Sequence, residues 1–449
     1  MPALTKRLME SAGIMDMGKQ RFGGALLAGL ALTVAASGAQ AQQAKKEALR
    51  GAAAPRSGAQ VFPVSAESGG GGRRFELVQG DRRIPVAVVA GDPYQMGRQL
   101  GRLMRKEIRA LLSEILPKFK AALRISDAEL ARVWETTAAY TDDRVEQELL
   151  GLAEGSGAPL AQLHQVQCLP LLMPYSCSSV AVWGKASADG HLYQTRDLDW
   201  NLEAGAHEFP AAVVYLPRNG LPHVTLTFAG FVGANCGMNA AGIVLAEMGD
   251  SPAREAPYNL RAPHFSAWFR TVLYDADSLS RALALFRAQP MTKRYHFVFG
   301  DGRAERRAVK IRAHSPEPAG RRALVWKDND PSDELAPNVL PNVVYQDEGR
   351  GAFPFLKARW GRLDAPAMIE LANRLPIRGG NVLDVVFDGT GLRLWFSYAH
   401  GEKEAYQMPY CFLDLGALDS DGDGKPDIAE GGADADGDGK PDFLDPAVN

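Results

Sequence analysis

The sequence predicts an α+β fold, in which a mainly helical N-terminal block precedes at least one large sheet that carries helices on its outer faces. Two observations support this prediction. Between residues 94 and 152, apolar residues recur mostly at steps of three and four, which gives a helix one apolar face. After Cys177 the apolar residues come in short alternating or continuous runs, which are typical of strands.

The individual elements follow from these patterns. A first strand pair is expected at residues 75–78 and 84–90, because a glycine-aspartate turn signal follows each run. Helical spacing predicts two further helices, at residues 266–273 and 279–287. Strands are predicted at residues 180–183, 211–216, 224–228, 243–246, 297–299 and 392–398.

The N-terminus has the features of a secretory signal peptide. Lys19 and Arg21 precede an apolar run at residues 25–36, and Ala39-Gln40-Ala41 supplies a cleavage site. The run is shorter than the about 20 residues that a membrane-spanning helix requires. We therefore expect a signal peptide at residues 1–41, a periplasmic or secreted protein and no stable membrane span. Residues 42–73 are rich in Ala, Gly, Ser and Gln, which predicts a flexible linker.

The composition is that of an ordinary globular protein. Of 449 residues, 46% are hydrophobic and 23% charged, which excludes a fully disordered or collagen-like chain. The net charge of -3 gives no positive field for phosphates, so no nucleic-acid partner is expected. The four cysteines include no C-x-x-C pair for zinc or redox chemistry. Cys168, Cys236 and Cys411 are assigned to packing or to one disulfide.

The C-terminal segment, residues 416–449, contains a repeat. Residues 419–427 recur as 434–442 with eight of nine positions identical. Alternating aspartates with glycines at sharp turns supply the oxygen ligands that calcium prefers. The repeat resembles thrombospondin type 3 calcium loops rather than a complete EF-hand, because no helix and no twelfth-position glutamate are expected; a merely solvating acidic tail is the alternative. The predicted structural calcium ligands are Asp419, Asp421, Asp423, Asp427, Asp434, Asp436, Asp438 and Asp442.

Common hydrolase signatures are missing from the sequence, which directs attention to Cys177. There is no G-x-S-x-G, H-E-x-x-H or P-loop motif, and the eight histidines show no metal-ligand spacing. Cys177 lies in a polar turn that leads into an apolar strand. A turn at residues 188–190 and a return strand predict a hairpin that brings Arg196 and Asp199 back towards Cys177.

Four sequence blocks resemble a known enzyme family. Residues 91–101, residues 151–157 and the block from Cys177-Ser-Ser to Arg196-Asp-Leu-Asp-Trp200 resemble the autoproteolytic acyltransferase/hydrolase family of isopenicillin N acyltransferase. Residues 237–242 are similar to that family and to its relatives, the bile salt hydrolases, penicillin V acylases and acid ceramidase-like amidases. The resemblance implies the four-layer αββα sandwich of N-terminal nucleophile hydrolases, with a mainly helical pro-segment at residues 74–176 and a catalytic domain at residues 177–415.

The resemblance also implies a mechanism. The chain would cut itself between Ser176 and Cys177, and the new α-amino group, with an ordinary pKa of about 7.7 to 8.0, would act as the base. The thiolate would attack an amide and form a thioester, with no catalytic cofactor. Arg196 and Asp199 match the R-x-x-D pair of the bile salt hydrolase branch, in which the carboxylate holds the amino group and the arginine favours the thiolate.

Two later residues are carried over from the same family. Asn342 matches an asparagine that donates to the oxyanion, and Arg359 matches a late arginine near the active site. Gly249 stands where the relatives have a second oxyanion-hole asparagine, so only its backbone N–H remains as a donor there.

The function expected from this resemblance is cleavage of a small-molecule N-acyl amide, with the pro-segment and the catalytic chain staying associated. Three alternatives remain: an acyltransferase between amines, an inactive binding protein on the same scaffold, and a thiol hydrolase in which His264 or His296 pairs with Cys177. Glu247 and His264 are interpreted as a satisfied core residue or a helix cap. Aromatic residues that line either an acyl pocket or the core are Trp183, Trp200, Phe228 and Phe231.

Overall fold

The computed structural model describes residues 71–172, 175–249, 259–292, 295–313, 323–328, 330–333, 336–347 and 349–448. The predicted signal peptide, residues 1–41, and all but the last three residues of the predicted linker lie outside these ranges. Within them, no helix combines the length and the apolar character needed to cross a bilayer.

The larger of two sheets has nine strands in the order β1-β2-β5-β6-β7-β8-β9-β10-β11. Every neighbouring pair is antiparallel except β2 and β5, which are parallel. The strands are β1 (Arg73–Gln79), β2 (Arg82–Gly91), β5 (Pro210–Pro217), β6 (His223–Phe228), β7 (Cys236–Asn239), β8 (Ile243–Gly249), β9 (Tyr295–Asp301), β10 (Arg307–Ala313) and β11 (Ala323–Trp326).

The smaller sheet has six antiparallel strands in the order β12-β3-β4-β13-β14-β15. They are β3 (Ser176–Gly184), β4 (Gly190–Asp199), β12 (Val343–Gln346), β13 (Asn381–Asp388), β14 (Arg393–Tyr398) and β15 (Cys411–Asp414). The two sheets contact each other through β3 and β4 on one side and β8 and β9 on the other. The prediction of a mixed α and β fold built on large sheets is confirmed.

Five helices precede Cys177 and five follow it in the described part of the chain. Helix α6 (Phe265–Asp275) packs against β7, α7 (Leu279–Arg287) against β9, and α9 (Ala365–Ala372) against β4 and β13. The helices are α1 (Pro93–Leu103), α2 (Arg105–Leu123), α3 (Asp127–Ala138), α4 (Asp143–Ser156), α5 (Leu160–Leu172), α6 (Phe265–Asp275), α7 (Leu279–Arg287), α8 (Ala352–Arg359), α9 (Ala365–Ala372) and α10 (Asp427–Glu430).

The segment before Cys177 is an integral part of the core. Strand β2 pairs with β5 over six positions, from Val86 opposite Ala212 to Gly91 opposite Pro217. Every β2 residue from Ile84 to Gly91 is buried, which is typical of a parallel strand covered on both faces. The nine-stranded sheet is therefore built from chain on both sides of Cys177.

A buried ion pair also joins the two sides of Cys177. The Nη1 and Nη2 atoms of Arg270 on α6 donate to the carboxylate oxygens of Glu148 on α4 at 3.2 and 2.9 Å. The Arg270 guanidinium also lies 3.7 Å from the ring centroid of Tyr215. Because removal of one partner leaves a buried charge, breaking such a pair costs about 3–5 kcal/mol. The pair therefore stabilises the packing of the N-terminal helices against the rest of the molecule.

Two of the four family-like sequence blocks have a packing role. Gly97 and Gly101 on α1 face Gly151 and Gly155 on α4, and a Cβ atom at any of the four would collide with backbone of the opposite helix. The helices approach this closely because glycine has no side chain. These glycines position the helical block rather than a reacting group.

The four cysteines are all described, all buried and all free thiols. The assignment of Cys168, Cys236 and Cys411 to packing is therefore confirmed, and no disulfide joins them.

Candidate active site

Cys177 is the second residue of β3 and is fully buried. The predicted hairpin is confirmed, since β3 pairs with β4 so that Cys177 lies opposite Leu198 and Ser176 lies opposite Asp199. The peptide bond between Ser176 and Cys177 is thus next to the end of β4. The hairpin brings Asp199 beside the bond at which self-cleavage is expected.

Asp199 is held by three donors. Its carboxylate accepts hydrogen bonds from Arg350 Nη1 at 2.8 Å, the Ile377 backbone N–H at 3.0 Å and Asn381 Nδ2 at 3.3 Å. Burial raises the pKa of Asp199 above its ordinary value, and the Ile377 N–H and the Arg350 guanidinium act against that rise. These contacts fix the orientation of the carboxylate at the end of β4.

Arg350 links Asp199 to Cys177. Its Nη2 donates to the Cys177 carbonyl oxygen at 2.9 Å, while Nη1 also donates to the Leu375 carbonyl oxygen at 2.7 Å. Arg350 lies in the loop between β12 and α8, and sequence reasoning missed it. The family resemblance indicated Arg359 instead, nine residues further on, and no local pattern distinguishes the two positions.

Arg196 is a fully buried residue of β4, the return strand of the hairpin. Its Nη2 lies 3.8 Å from Glu247 Oε2, and the Tyr175 hydroxyl donates to Glu247 Oε1 at 2.6 Å. Burial by itself lowers the pKa of Arg196, but the neighbouring Cys177, Cys236 and Glu247 raise it above its ordinary value. The guanidinium is therefore charged near the thiol. Glu247, interpreted from sequence as a core residue, is its acidic partner.

Asn342 is not brought to Cys177. Its carbonyl oxygen accepts a hydrogen bond from the Trp183 N–H at 3.1 Å, and its own N–H donates to Asp328 Oδ2 at 2.6 Å. Trp183 is six residues along β3 from Cys177, which corresponds to about 20 Å at a rise of about 3.3 Å per residue. The amide of Asn342 is therefore out of reach of an oxyanion at Cys177.

Arg359 and Gly249, the two other positions indicated by the family resemblance, lie at the end of a helix and at the end of a strand. Arg359 ends α8, donates to Glu370 at 3.0 Å and lies over the Phe355 ring at 4.0 Å. It makes no hydrogen bond or ion pair with Cys177, Arg196 or Asp199 in the described structure. Gly249 ends β8 opposite Tyr295.

The two candidate histidines lie on different elements. His264 precedes α6, and its Nδ1 accepts a hydrogen bond from the Ser266 N–H at 3.2 Å, which confirms the interpretation as a helix cap. His296 is a buried residue of β9, opposite Met248.

The acidic repeat forms two clusters of carboxylates. Within each cluster the carboxylate oxygens lie within 4.8 Å of one another, and the members are Asp419, Asp421 and Asp423 in the first and Asp434, Asp436 and Asp438 in the second. Asp427 and Asp442 instead accept hydrogen bonds from the backbone N–H groups of Ser420 and Ala435.

The first repeat is followed by a helix and has a glutamate at its twelfth position, neither of which was expected from the sequence. Helix α10 follows the loop, and Glu430 stands twelfth from Asp419, so the expectation of no helix and no twelfth-position glutamate was wrong. Burial and the nearby Asp421 and Asp423 raise the pKa of Glu430 to about 7. In the second repeat the twelfth residue is Asp445, which accepts a hydrogen bond from Lys440 Nζ at 3.3 Å.

The arrangement at Cys177 has the parts that thiol-dependent acyl transfer needs. It contains a buried thiol, a charged guanidinium near that thiol and a fixed carboxylate beside the backbone of Cys177.

No family model matches the chain. Among curated proteins, it is 26% identical to protein dcd1B of Dictyostelium discoideum over 313 residues, which are 64% of this chain and 60% of that protein. It is 26% identical to protein dcd1A of the same organism, over 37% of this chain and 44% of that protein. An uncharacterized protein of Archaeoglobus fulgidus is 22% identical over 49% of this chain and 42% of its own length. The chain thus spans less than two-thirds of the length of each of these relatives.

Three solved structures are similar at low identity. They are an N-acylethanolamine-hydrolyzing acid amidase ortholog of Caenorhabditis elegans (17% identity, 48% of this chain, 93% of that chain), penicillin V acylase from Agrobacterium tumefaciens (14%, 54%, 87%) and a conjugated bile acid hydrolase mutant from Clostridium perfringens (12%, 53%, 92%). The TM-score is 0.36 in each case.

Proposed function

We propose that this protein is an exported, self-processing cysteine amidase or acyltransferase of the N-terminal nucleophile type, which cleaves a linear amide bond in a small N-acyl substrate. The observation that carries the proposal is the position of Cys177 at the start of β3. There Arg350 donates both to the Cys177 carbonyl oxygen and to Asp199, which lies across the ladder from Ser176.

The proposed reaction starts with hydrolysis of the bond between Ser176 and Cys177. Water supplies the hydroxyl of the new Ser176 carboxyl group and a proton to the new α-amino group of Cys177. In its neutral form that amine takes the thiol proton, and Asp199 accepts a hydrogen bond from it, a role supported by the position of Asp199 opposite Ser176. The Arg196 guanidinium favours the resulting thiolate by charge.

The substrate then reacts at the thiolate. Sulfur bonds to the acyl carbon, the carbon–nitrogen bond breaks, and the amine leaves with the proton held by the α-amino group. Water attacks the thioester and releases the acid, which restores the thiol. In the transferase alternative, a second amine takes the place of water.

The proposed domain organisation follows from the same cut. Residues 74–176 would be the mainly helical pro-segment, residues 177–415 the catalytic domain of a four-layer αββα sandwich, and residues 416–449 a calcium-binding tail. The pairing of β2 with β5 and the ion pair of Glu148 with Arg270 support two chains that stay associated after cleavage.

The function is tested with purified protein and a panel of N-acyl amides that vary separately in acyl group and amine. We expect release of free acid and amine, with accumulation of a new amide only if a transferase is given an acceptor amine. The matched variants His264→Ala and His296→Ala should keep their catalytic rate. A protein that stays uncut and turns over none of the panel would contradict the amidase and favour the binding protein.

We also propose that the tail binds structural calcium. Support comes from the two carboxylate clusters and from Glu430, whose two carboxylate oxygens are buried and accept no hydrogen bond from described residues. The phenylalanine that follows the second repeat, Phe443, is fully buried, so order in the tail is linked to the protein core. Oxygen ligands of this kind suit calcium rather than a transition metal.

Calcium is expected to raise the thermal unfolding temperature of the whole protein. At one hundred times its dissociation constant, a ligand contributes about 2.7 kcal/mol, and the effect should weaken below pH 7 because Glu430 must lose its proton. Calorimetric titration should show one fewer calcium ion for Glu430→Gln, and the exposed Glu402→Gln should match the wild type. If calcium, compared with an equal concentration of magnesium, leaves the wild-type unfolding temperature unchanged, the tail does not bind it structurally.

A further inference from the structure

Two buried aspartates face each other beside the candidate active site. Asp197 on β4 and Asp384 on β13 are directly opposite in the ladder, and neither is exposed to solvent. Like charges at directly opposite positions of a sheet repel each other, and burial makes the repulsion stronger. Two ionised carboxylates are therefore unfavourable at this position.

Hydrogen bonds connect this pair to both ends of the candidate site. Ser178, next to Cys177, donates through Oγ to Asp197 Oδ2 at 2.5 Å. Asn381 donates through Nδ2 to Asp384 Oδ1 at 2.7 Å and to Asp199 Oδ1 at 3.3 Å. The pair thus lies between the residue that follows the nucleophile and the amide that holds Asp199.

The neighbouring cations already have acidic partners. Arg350 is bound to Asp199, and Arg196 lies against Glu247. The other titratable groups that interact with the pair are Tyr406 and Tyr410 from the segment before β15, and Tyr406 itself lies near both Glu404 and Arg378. A proton is therefore the simplest neutralising charge for two facing carboxylates.

We propose that Asp197 and Asp384 share one proton, and that this carboxylic acid–carboxylate pair positions Asn381 against Asp199 and so orients Asp199 for the α-amino group of Cys177. Sharing replaces the repulsion by a hydrogen bond across β4 and β13. The first half of the proposal is independent of the enzyme's activity, and the second half rests on the proposed function.

The pKa directions agree with this geometry. Burial raises the pKa of Asp197 to about 8, with the negative charge of Asp199 acting in the same direction and Ser178 against it. Burial and the charge of Asp197 raise the pKa of Asp384 well above its ordinary value. Because the folded protein keeps a proton that the unfolded chain has lost, this pair stabilises the fold most at about pH 4 and progressively less up to about pH 8.

The test compares thermal and denaturant unfolding of the wild type and Asp197→Asn from pH 5 to pH 7.5. Asparagine keeps the shape of the side chain and donates a hydrogen bond to Asp384, but its amide does not ionise in this pH range. One retained proton makes the wild-type unfolding constant rise about tenfold per pH unit relative to that of the variant. Asp301→Asn, which replaces another fully buried aspartate held by the backbone N–H of Leu279, should keep the wild-type dependence.

Two further measurements separate the halves of the proposal. At pH 7 the infrared difference spectrum, wild type minus Asp197→Asn, should show a carbonyl band from a protonated carboxyl group. The rate of amide hydrolysis by the processed protein should fall above about pH 8 in the wild type and not in the variant, because the α-amino group that Asp199 serves exists only after the cut. Equal unfolding slopes together with no infrared band would overturn the shared proton, whether or not the protein is an amidase. A shared proton with identical pH profiles of amide hydrolysis would overturn the positioning role.

Discussion

Replacing Cys177 with alanine is expected to leave the protein as one uncut chain and to lower amide hydrolysis by at least about 10³-fold, because the thiol is both the proposed nucleophile and the residue at the cut. Intact mass and N-terminal sequencing check the first result: the wild type should give a second N-terminus that begins at Cys177. Cys177→Ser should lose most turnover as well, since a hydroxyl is a weaker nucleophile than a thiol.

The matched control is Cys236→Ala. Cys236 is also a fully buried free thiol, on β7, and Arg196 acts on it as it acts on Cys177. This variant should still cut itself and keep its activity. A Cys177→Ala protein that is processed like the wild type would remove the basis for the N-terminal nucleophile mechanism.

Replacing Arg350 with alanine is the second change with a large expected effect. It removes the hydrogen bonds to Asp199 and to the Cys177 carbonyl oxygen and leaves the Asp199 carboxylate without its cation. Loss of one partner of a buried pair costs about 3–5 kcal/mol, and we expect the rate of amide cleavage in the substrate to fall by about 10²-fold as Asp199 loses its orientation. Denaturant unfolding and the time course of cleavage measure the two effects.

Arg359→Ala is the control for Arg350→Ala, because the family resemblance pointed to Arg359. Its partner Glu370 is on α9, and about a third of each side chain is exposed, so its loss should change the free energy of unfolding by about 1 kcal/mol or less. Arg350→Lys should recover part of the stability, since a lysine restores the charge without the two-pronged geometry. If Arg359→Ala slows cleavage more than Arg350→Ala, the assignment made from the structure is wrong.

Local patterns in the sequence were enough for the fold class and for the hairpin at Cys177. The runs at residues 211–216 and 224–228 became β5 and β6, and the turn at residues 188–190 placed Asp199 opposite Ser176. These features depend on neighbours in sequence, which periodicity and turn residues report directly. The placement of Arg196 and Asp199 in one hairpin with Cys177 was accessible for the same reason.

Residues that reach the site from distant elements could not be predicted from the sequence. Arg350 and Asn381 lie 173 and 204 positions after Cys177, in a loop and at the start of β13, and nothing local marks them. Strand β13 was missed because its buried Asp384 and Asp388 interrupt the apolar run. Asn342 matched a short family motif. A motif does not show that this residue lies beside Trp183, at the far end of β3 from Cys177.

The tail shows a different kind of omission. The spacing of Asp419, Asp421 and Asp423 was recognised, and counting on to the twelfth residue would have found Glu430 from the sequence alone. The exchange of that glutamate for Asp445 in the second repeat was equally visible.

The parallel pairing of β2 with β5 makes unfolding of the cut protein difficult to reverse. Parallel neighbours need a long crossover connection, and here that connection runs from Gly91 to Pro210 and contains Cys177. Once it is severed, two separate chains must meet before the nine-stranded sheet can form again, so refolding becomes dependent on concentration. The lifetime of the cut protein is then set by how slowly it unfolds rather than by an equilibrium between folded and unfolded states.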